Sequence, residues 1–373
     1  MRIMLNALIL GERPTGYTTV IREYLTAFSK RYRTERTNII IYVLIQKCAV
    51  RNIDPMGSLA AEGMVKFITI CNLKTSVRVV FEQFAVNYHA LRLKCDCIHS
   101  PATLGIVFPV RPQLLFFHAS TTFMLPRKMH GRGWLATKMS NWIIKCSANS
   151  AREVAVTTYT TGRELQEFLG RAIPFTTIGN GVQNLRLSNG DVGVRDEIKQ
   201  IPKVKFLLYV SSFYRLKNQR ILIEAAAELP GYRVVLAGGP AQPDYYSECE
   251  KLVRDAGGDV KIVSSVNNEE LAYLYRNCDI YVCPSQFEGF ALTPLEALQF
   301  NKPILLAETD VLREVYGQGF RYFDQNSVES LVSCVNSVSE QYRKFCENNG
   351  ILKQYDWGEF AKKNFDLYRK ILS

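Results

Sequence analysis

Five side chains in this 373-residue sequence have the type and setting for chemistry on an anionic ligand. Glu288 and Glu296 stand eight positions apart in Pro284-Ser285-Gln286-Phe287-Glu288-Gly289-Phe290-Ala291-Leu292-Thr293-Pro294-Leu295-Glu296-Ala297-Leu298. The apolar run Ile280-Tyr281-Val282-Cys283 leads in and reads as a buried strand. Thr293, Pro294 and Glu296 then read as N-cap, first helical residue and capping-box glutamate. A strand end followed by a helix N-terminus offers unpaired amides and a positive dipole end, which favour an anion such as phosphate. Lys217, with Arg215, occupies a second strand-to-helix junction, Ser211-Ser212-Phe213-Tyr214-Arg215-Leu216-Lys217-Asn218, where Asn218 can cap the next helix. Cations beside such amides suit a diphosphate. His118 ends the apolar run Leu114-Leu115-Phe116-Phe117 and opens a polar loop.

Each has a blander reading. Thr-x-x-Glu caps a helix without any ligand, so Glu296 is open between capping and binding. Glu288 reads otherwise as a solvated loop glutamate, but it has no capping role, and Gly289 beside it permits close backbone approach. Arg215 and Lys217 read equally as solvated loop cations, and a lone histidine is more often structural than catalytic. Gly16, in Gly11-Glu12-Arg13-Pro14-Thr15-Gly16-Tyr17, either admits a ligand to the next helix start or makes a plain turn. Gly-x-Gly-x-x-Gly is absent, which argues against a dinucleotide oxidoreductase.

The elements that must position these residues alternate strand and helix. Strands are expected at 2–5, 38–45, 65–70, 96–99, 114–118, 153–157 and 174–178, with helices at 17–30, 75–94, 132–149 and 160–169. A polar stretch at 183–203 reads as a linker. A second series of strands (204–210, 232–237, 259–263, 279–283, 303–307, 320–323) and helices (219–229, 243–256, 268–276, 311–316) follows. The expectation is an α/β chain of two doubly wound parallel-sheet domains, 1–190 and 191–356, with a closing helix at 357–373 returning to the first.

Composition is that of a globular chain, 47% hydrophobic and 22% charged, and no apolar run approaches the ~20 residues of a spanning helix. The net charge of +11 is one-sided. Residues 1–190 hold 24 Lys and Arg against 10 Asp and Glu, and residues 101–150 hold no acid at all. That asymmetry suggests an anionic partner. Arg127, Lys128 and Arg132 precede a helix whose apolar face, Leu135, Met139, Trp142, Ile143 and Cys146, is expected to be core, whereas the basic loop is expected to face lipid or acceptor. The ten cysteines include no Cys-x-x-Cys pair and suggest no metal site, but buried, reduced thiols in a cytosolic protein. Cys95 and Cys97 are expected on one face of one strand. No recognised nucleic-acid motif accompanies the basic residues.

Glu288-Gly289-Phe290-x-Leu292-x-Pro294-Leu295-Glu296-Ala297-Leu298, followed by Asn301-Lys302-Pro303-Ile304, resembles the Glu-x7-Glu signature of retaining glycosyltransferases of family 4. The resemblance extends to Asn180-Gly181-Val182, Lys217-Asn218, Ala237-Gly238-Gly239, Asp310-x-x-x-Glu314-Val315 and Tyr355-Asp356-Trp357. It is dense in the second half and sparse in the first. It implies a GT-B fold, two Rossmann-like domains facing a cleft, and a metal-independent hexosyltransferase without cofactor whose donor is a UDP-, GDP- or ADP-sugar. Carried over by position, Glu296 would bind the donor ribose, Glu288 would act at the transferred sugar, and Lys217 would neutralise the diphosphate. Amides of Gly289, Phe290, Ala291 and Leu292 would contact phosphate or sugar, Gly16 would approach the donor phosphates, and His118 would stand near the anomeric centre. Together with the basic half, the resemblance implies a peripheral enzyme on the cytoplasmic membrane face, acting on a lipid-linked or other saccharide acceptor in surface polysaccharide synthesis, such as lipopolysaccharide O-antigen or capsule. A soluble transferase with a non-lipid acceptor and a non-enzymatic nucleotide- or polyanion-binding module of the same fold are the alternatives. The sequence departs from the family at Ser211-Ser212-Phe213, where Gly-Arg-Leu is usual, at His118-Ala119, where His-Asp is usual, and at Ala291, where glycine is usual.

Overall fold

Most of the central strands are short runs buried on both faces. Gln113–Phe117, for example, is buried at all five positions. Such runs belong in parallel sheets covered by helices on either side. The computed structural model describes residues 1–12, 15–33, 38–119, 134–185 and 193–373, and these form two compact units. Arg127, Lys128 and Arg132 lie outside the described residues.

The first unit comprises Met1–Gly181 and Tyr355–Ser373. Among its described residues are β1 (Arg2–Asn6), β2 (Ile40–Gln46), β3 (Val65–Ile70), β4 (Cys97–Ser100), β5 (Gln113–Phe117), β6 (Glu153–Val156) and β7 (Thr176–Thr177). All pair in parallel, in the order β3-β2-β1-β4-β5-β6-β7. On one face, helices Gly16–Arg33 and Trp357–Leu372 share a core that includes Phe28, Ile41, Phe116, Phe360 and Tyr368. On the other, helix Thr75–Arg92 supplies Ala85, Val86 and Ala90 against Met4, Leu44 and Ile98. Burying each large aliphatic or aromatic side chain contributes about 1.5–3 kcal/mol, so the closing helix is integral to this sheet. Asp356 starts that helix by accepting from the Glu359 amide at 3.1 Å. A Cβ on Gly181 would lie 2.5 Å from the Trp357 ring, which explains why glycine stands there.

The second unit, Val182–Gln354, holds β8 (Phe206–Val210), β9 (Arg233–Ala237), β10 (Val260–Val263), β11 (Ile280–Cys283), β12 (Ile304–Ala307) and β13 (Arg321–Phe323). These too pair in parallel, ordered β10-β9-β8-β11-β12-β13.

Three expectations change. The stretch 183–203 is not simply a linker. Leu185, Val194, Ile198 and Ile201 are buried, short helical turns span Asp196–Lys199 and Ile201–Lys203, and Arg195 pairs with the buried Glu270 at 2.6 Å. The first unit accordingly ends at Gly181 rather than 190. Cys95 precedes β4 and joins the core on one face while Cys97 joins the other, so the two do not share a side. All ten cysteines are free, seven of them buried, but Cys71 is exposed.

Candidate functional site

In each sheet the chain runs outward in one direction, then returns to the other side of its first strand. That reversal leaves a crevice at the carboxyl ends of the two central strands, the place where open α/β sheets bind ligands. In the second unit the crevice lies between β8 and β11. The loop after β8 carries Arg215 and Lys217, and the loop after β11 carries Glu288.

These loops are tied together. The Gln286 amide donates to the Leu216 carbonyl at 2.9 Å, across the reversal. Beneath, the Tyr209 and Ser285 hydroxyls, both buried, meet at 2.7 Å. The result brings Lys217 Nζ to 2.7 Å from Glu288 Oε1, with both side chains partly open to solvent. Gly238 closes the same end of the sheet. A Cβ there would lie 2.0 Å from the Ser211 carbonyl oxygen, so the loops after β8 and β9 approach as closely as glycine alone permits.

Arg215 is directed elsewhere. It forms an ion pair with Glu248 at 2.7 Å and lies over the Tyr245 ring, 5.0 Å from its centroid. Glu248 holds the guanidinium pKa above its ordinary value, and Arg215 holds the Glu248 carboxyl below its own. The loop geometry therefore unites Lys217 with Glu288 and commits Arg215 to a separate pair.

The helix after Glu288 starts earlier than its sequence suggests. It spans Leu292–Gln299, its N-cap is Ala291, and no side chain caps it. Thr293 is inside the helix, where its hydroxyl accepts from Tyr281 at 2.6 Å. Glu296 consequently makes no capping box. Its Oε2 accepts from the Tyr275 hydroxyl at 2.8 Å. Burial raises the Glu296 pKa and the tyrosine hydrogen bond opposes that rise. The capping alternative for Glu296 is thus removed by geometry. Ala291 has φ +60°, a left-handed conformation that suits glycine, the residue usual in the resembling family. Its carbonyl accepts from the buried Tyr316 hydroxyl at 2.6 Å. Asn218 is likewise left-handed, at φ +53°, and donates to the Gln325 carbonyl at 2.8 Å instead of capping with its side chain.

Tyr275 and the Tyr209–Ser285 pair were not legible as site residues. Tyr275 lies 21 positions before Glu296 in another helix, and no local pattern links them.

In the first unit the reversal lies between β1 and β4. Gly16 begins helix Gly16–Arg33, and the space its Cβ would fill is open. The adjacent Tyr17 hydroxyl stands 3.4 Å from Thr103 Oγ1, and its ring meets His118 edge-on at 5.5 Å. Gly16 and His118 are therefore neighbours through Tyr17. His118 is buried, stacks on Phe116 at 4.3 Å, and has its pKa pushed down to about 3 by burial. It is a neutral imidazole at ordinary pH, and its Nδ1 has no hydrogen-bond partner among the described residues. Among the described residues no helix is long and apolar enough to cross a membrane, and no group of three or more His, Cys, Asp and Glu is placed to hold a metal ion.

Comparison with known proteins bears on the family and the fold. Residues 194–355 match the family model of glycosyl transferases group 1. The O-antigen chain mannosyltransferase B of Escherichia coli is 26% identical over 175 residues, covering 44% of this chain and 45% of that protein. The chain spans about half the length of the curated relatives it matches. Sucrose-phosphate synthase of Thermosynechococcus elongatus superposes with a TM-score of 0.78 at 18% identity, over 99% of this chain and 98% of that one. HepE of Anabaena, solved in complex with UDP and glucose, gives a TM-score of 0.76 at 16% identity, over 99% and 100% of the two chains. The second unit of this chain thus matches the glycosyl transferases group 1, and the whole has the GT-B α/β fold.

Proposed function

We propose that the protein is a retaining glycosyltransferase that moves a hexose from a nucleoside-diphosphate sugar to a lipid-linked saccharide in surface polysaccharide synthesis, at the cytoplasmic face of the membrane. The observation that carries this reading is the Lys217–Glu288 pair at the β8–β11 reversal, with Glu296 held by Tyr275 one helical turn into the next element. Departure of a nucleoside diphosphate concentrates negative charge on phosphate oxygens. Lys217 and the amides at the Leu292–Gln299 helix start oppose that charge as it develops, without a metal ion. Glu296 accepts hydrogen bonds from donor ribose hydroxyls, and Glu288 stabilises cationic character at the anomeric carbon. Acceptor attack from the face the leaving group vacates preserves configuration and needs no covalent intermediate. The UDP of HepE and the O-antigen activity named for the E. coli relative support a nucleotide-sugar donor and a polysaccharide product.

The test has two stages. Thermal-shift screening with UDP, GDP and ADP identifies the donor base, and transfer from the matching sugar nucleotides is then measured with and without EDTA. Stabilisation by one nucleoside diphosphate and EDTA-resistant transfer with an unchanged anomeric signal in NMR are expected. Inversion of the anomer overturns the mechanism, and no binding of any nucleotide overturns the enzyme reading.

A further inference from the structure

Helix Thr75–Arg92 covers one face of the first sheet, yet its outer face is not polar. Val77, Val80, Phe81, Phe84, Tyr88 and Leu91 are all exposed, Phe84 to 72%. The spacing from 77 through 81, 84, 88 and 91 alternates four and three residues, which places these side chains on one stripe. Soluble surfaces scatter such residues singly, whereas a continuous apolar stripe marks an interaction surface. The stripe is extended by a neighbouring loop. Asn87 donates to the Phe108 carbonyl and accepts from the Val110 amide, both at 3.0 Å, which fastens Phe108 and Val110 to the helix while their side chains stay exposed. Helix Trp134–Ser150 packs alongside through Val79 and Ile143, and its Trp142 is exposed, contrary to the expectation that it belongs to the core.

The charges around this surface are predominantly positive. Lys74, Arg92, Lys94, Lys138 and Lys145 are exposed on these elements. The acids on described residues 74–119 and 134–150 are Glu82, which is buried beside Arg78, and Asp96, which accepts from the Arg2 amide. A second copy of the chain docked on the stripe would set cations against cations. An anionic lipid surface complements them, and the mixture of Phe, Tyr and Trp among aliphatic residues suits the headgroup boundary. We propose that helix Thr75–Arg92, with Phe108 and Val110, is an in-plane insertion surface for an anionic bilayer. This rests on the membrane-face reading above and locates it on residues other than the basic loop 126–133.

The experiment is flotation of the full chain with phosphatidylcholine vesicles and with phosphatidylcholine–phosphatidylglycerol vesicles. It compares the unaltered protein with Phe84→Glu and with a Phe81→Ser, Tyr88→Ser double variant, each checked for an unchanged melting temperature. Nucleotide affinity, measured in parallel, reports the second unit separately. The expected result is recovery with anionic vesicles, reduced roughly tenfold or more by either variant, with nucleotide affinity unchanged. Recovery of the variants equal to the unaltered protein overturns this surface while leaving membrane binding in place. Failure of the unaltered protein to float overturns both. A dimer in light scattering that Phe84→Glu splits, without lipid binding, replaces the bilayer with a second copy.

Discussion

Lys217 and Glu288 are 71 positions apart in sequence and 2.7 Å apart in the structure, joined ammonium to carboxylate where the second sheet reverses direction. The pair gives each residue a distinct and separable effect. A charge-assisted hydrogen bond contributes about 1.5–3 kcal/mol, so Lys217→Ala should weaken nucleoside-diphosphate binding by roughly 10- to 100-fold. Glu288→Gln removes the anion that shares the ammonium. It should leave nucleotide affinity equal or tighter while transfer falls by orders of magnitude. Calorimetric titration with the preferred nucleoside diphosphate, beside initial rates, checks both. Equal loss of affinity in the two variants would sink the division of roles.

Tyr275 should act through Glu296. The hydroxyl at 2.8 Å favours the ionised carboxylate, opposing the rise that burial imposes on its pKa. Donor binding that needs the carboxylate therefore weakens as pH falls through that raised pKa. Tyr275→Phe removes the opposing hydrogen bond, so the acid limb should move to higher pH and the donor KM should rise at a given acidic pH. Stability should drop by about 1 kcal/mol from the lost bond. A pH profile of donor KM separates this from a merely structural role, which would leave the limb in place.

Much of the fold was legible because parallel strands are continuous apolar runs and their helices carry a regular period. The Glu-x7-Glu stretch likewise announced a strand end and a helix start. What was not legible depended on contacts between distant segments. The cap at Thr293 was locally well formed in sequence, but Tyr281 takes the Thr293 hydroxyl and Tyr275 takes Glu296, and the helix begins at Leu292 instead. Arg215 shares a junction with Lys217 in sequence, but Glu248 and Tyr245, more than twenty residues on, claim it. The outer face of helix Thr75–Arg92 was missed because an amphipathic period assigns apolar residues to the core, and here they occupy both faces.

Ala291 should accept glycine with a gain. At φ +60° an alanine is strained by about 1 kcal/mol relative to glycine, and the extra freedom of glycine in the unfolded chain offsets part of that. Ala291→Gly is expected to raise stability by up to roughly 1 kcal/mol, read as a higher denaturant midpoint at unchanged slope. A lower midpoint would mean that the methyl group contributes packing that outweighs the strain.

Glu82 makes the first unit less stable as pH rises from the acid range to neutrality. It is buried, its Oε2 lies 4.0 Å from Arg78, and its Oε1 has no partner among the described residues. Burial raises its pKa from 4.5 to about 7, with Arg78 opposing the rise. The folded state thus holds the proton more tightly than the unfolded chain. The resulting stabilisation is complete below the unfolded pKa and is lost as pH rises through about 7, a change of about 3 kcal/mol if this group acts alone. His99 and His118, both pushed down to about 3 by burial, act in the opposite sense below their ordinary pKa, so the raw melting profile mixes the two effects. The difference between the unaltered protein and Glu82→Gln isolates the carboxyl, because the histidines are common to both. Melting midpoints should be close at pH 5, and the variant should be the more stable at pH 8, since its side chain never ionises. Parallel profiles across that range would show that Glu82 is ionised in the fold and paired with Arg78 throughout.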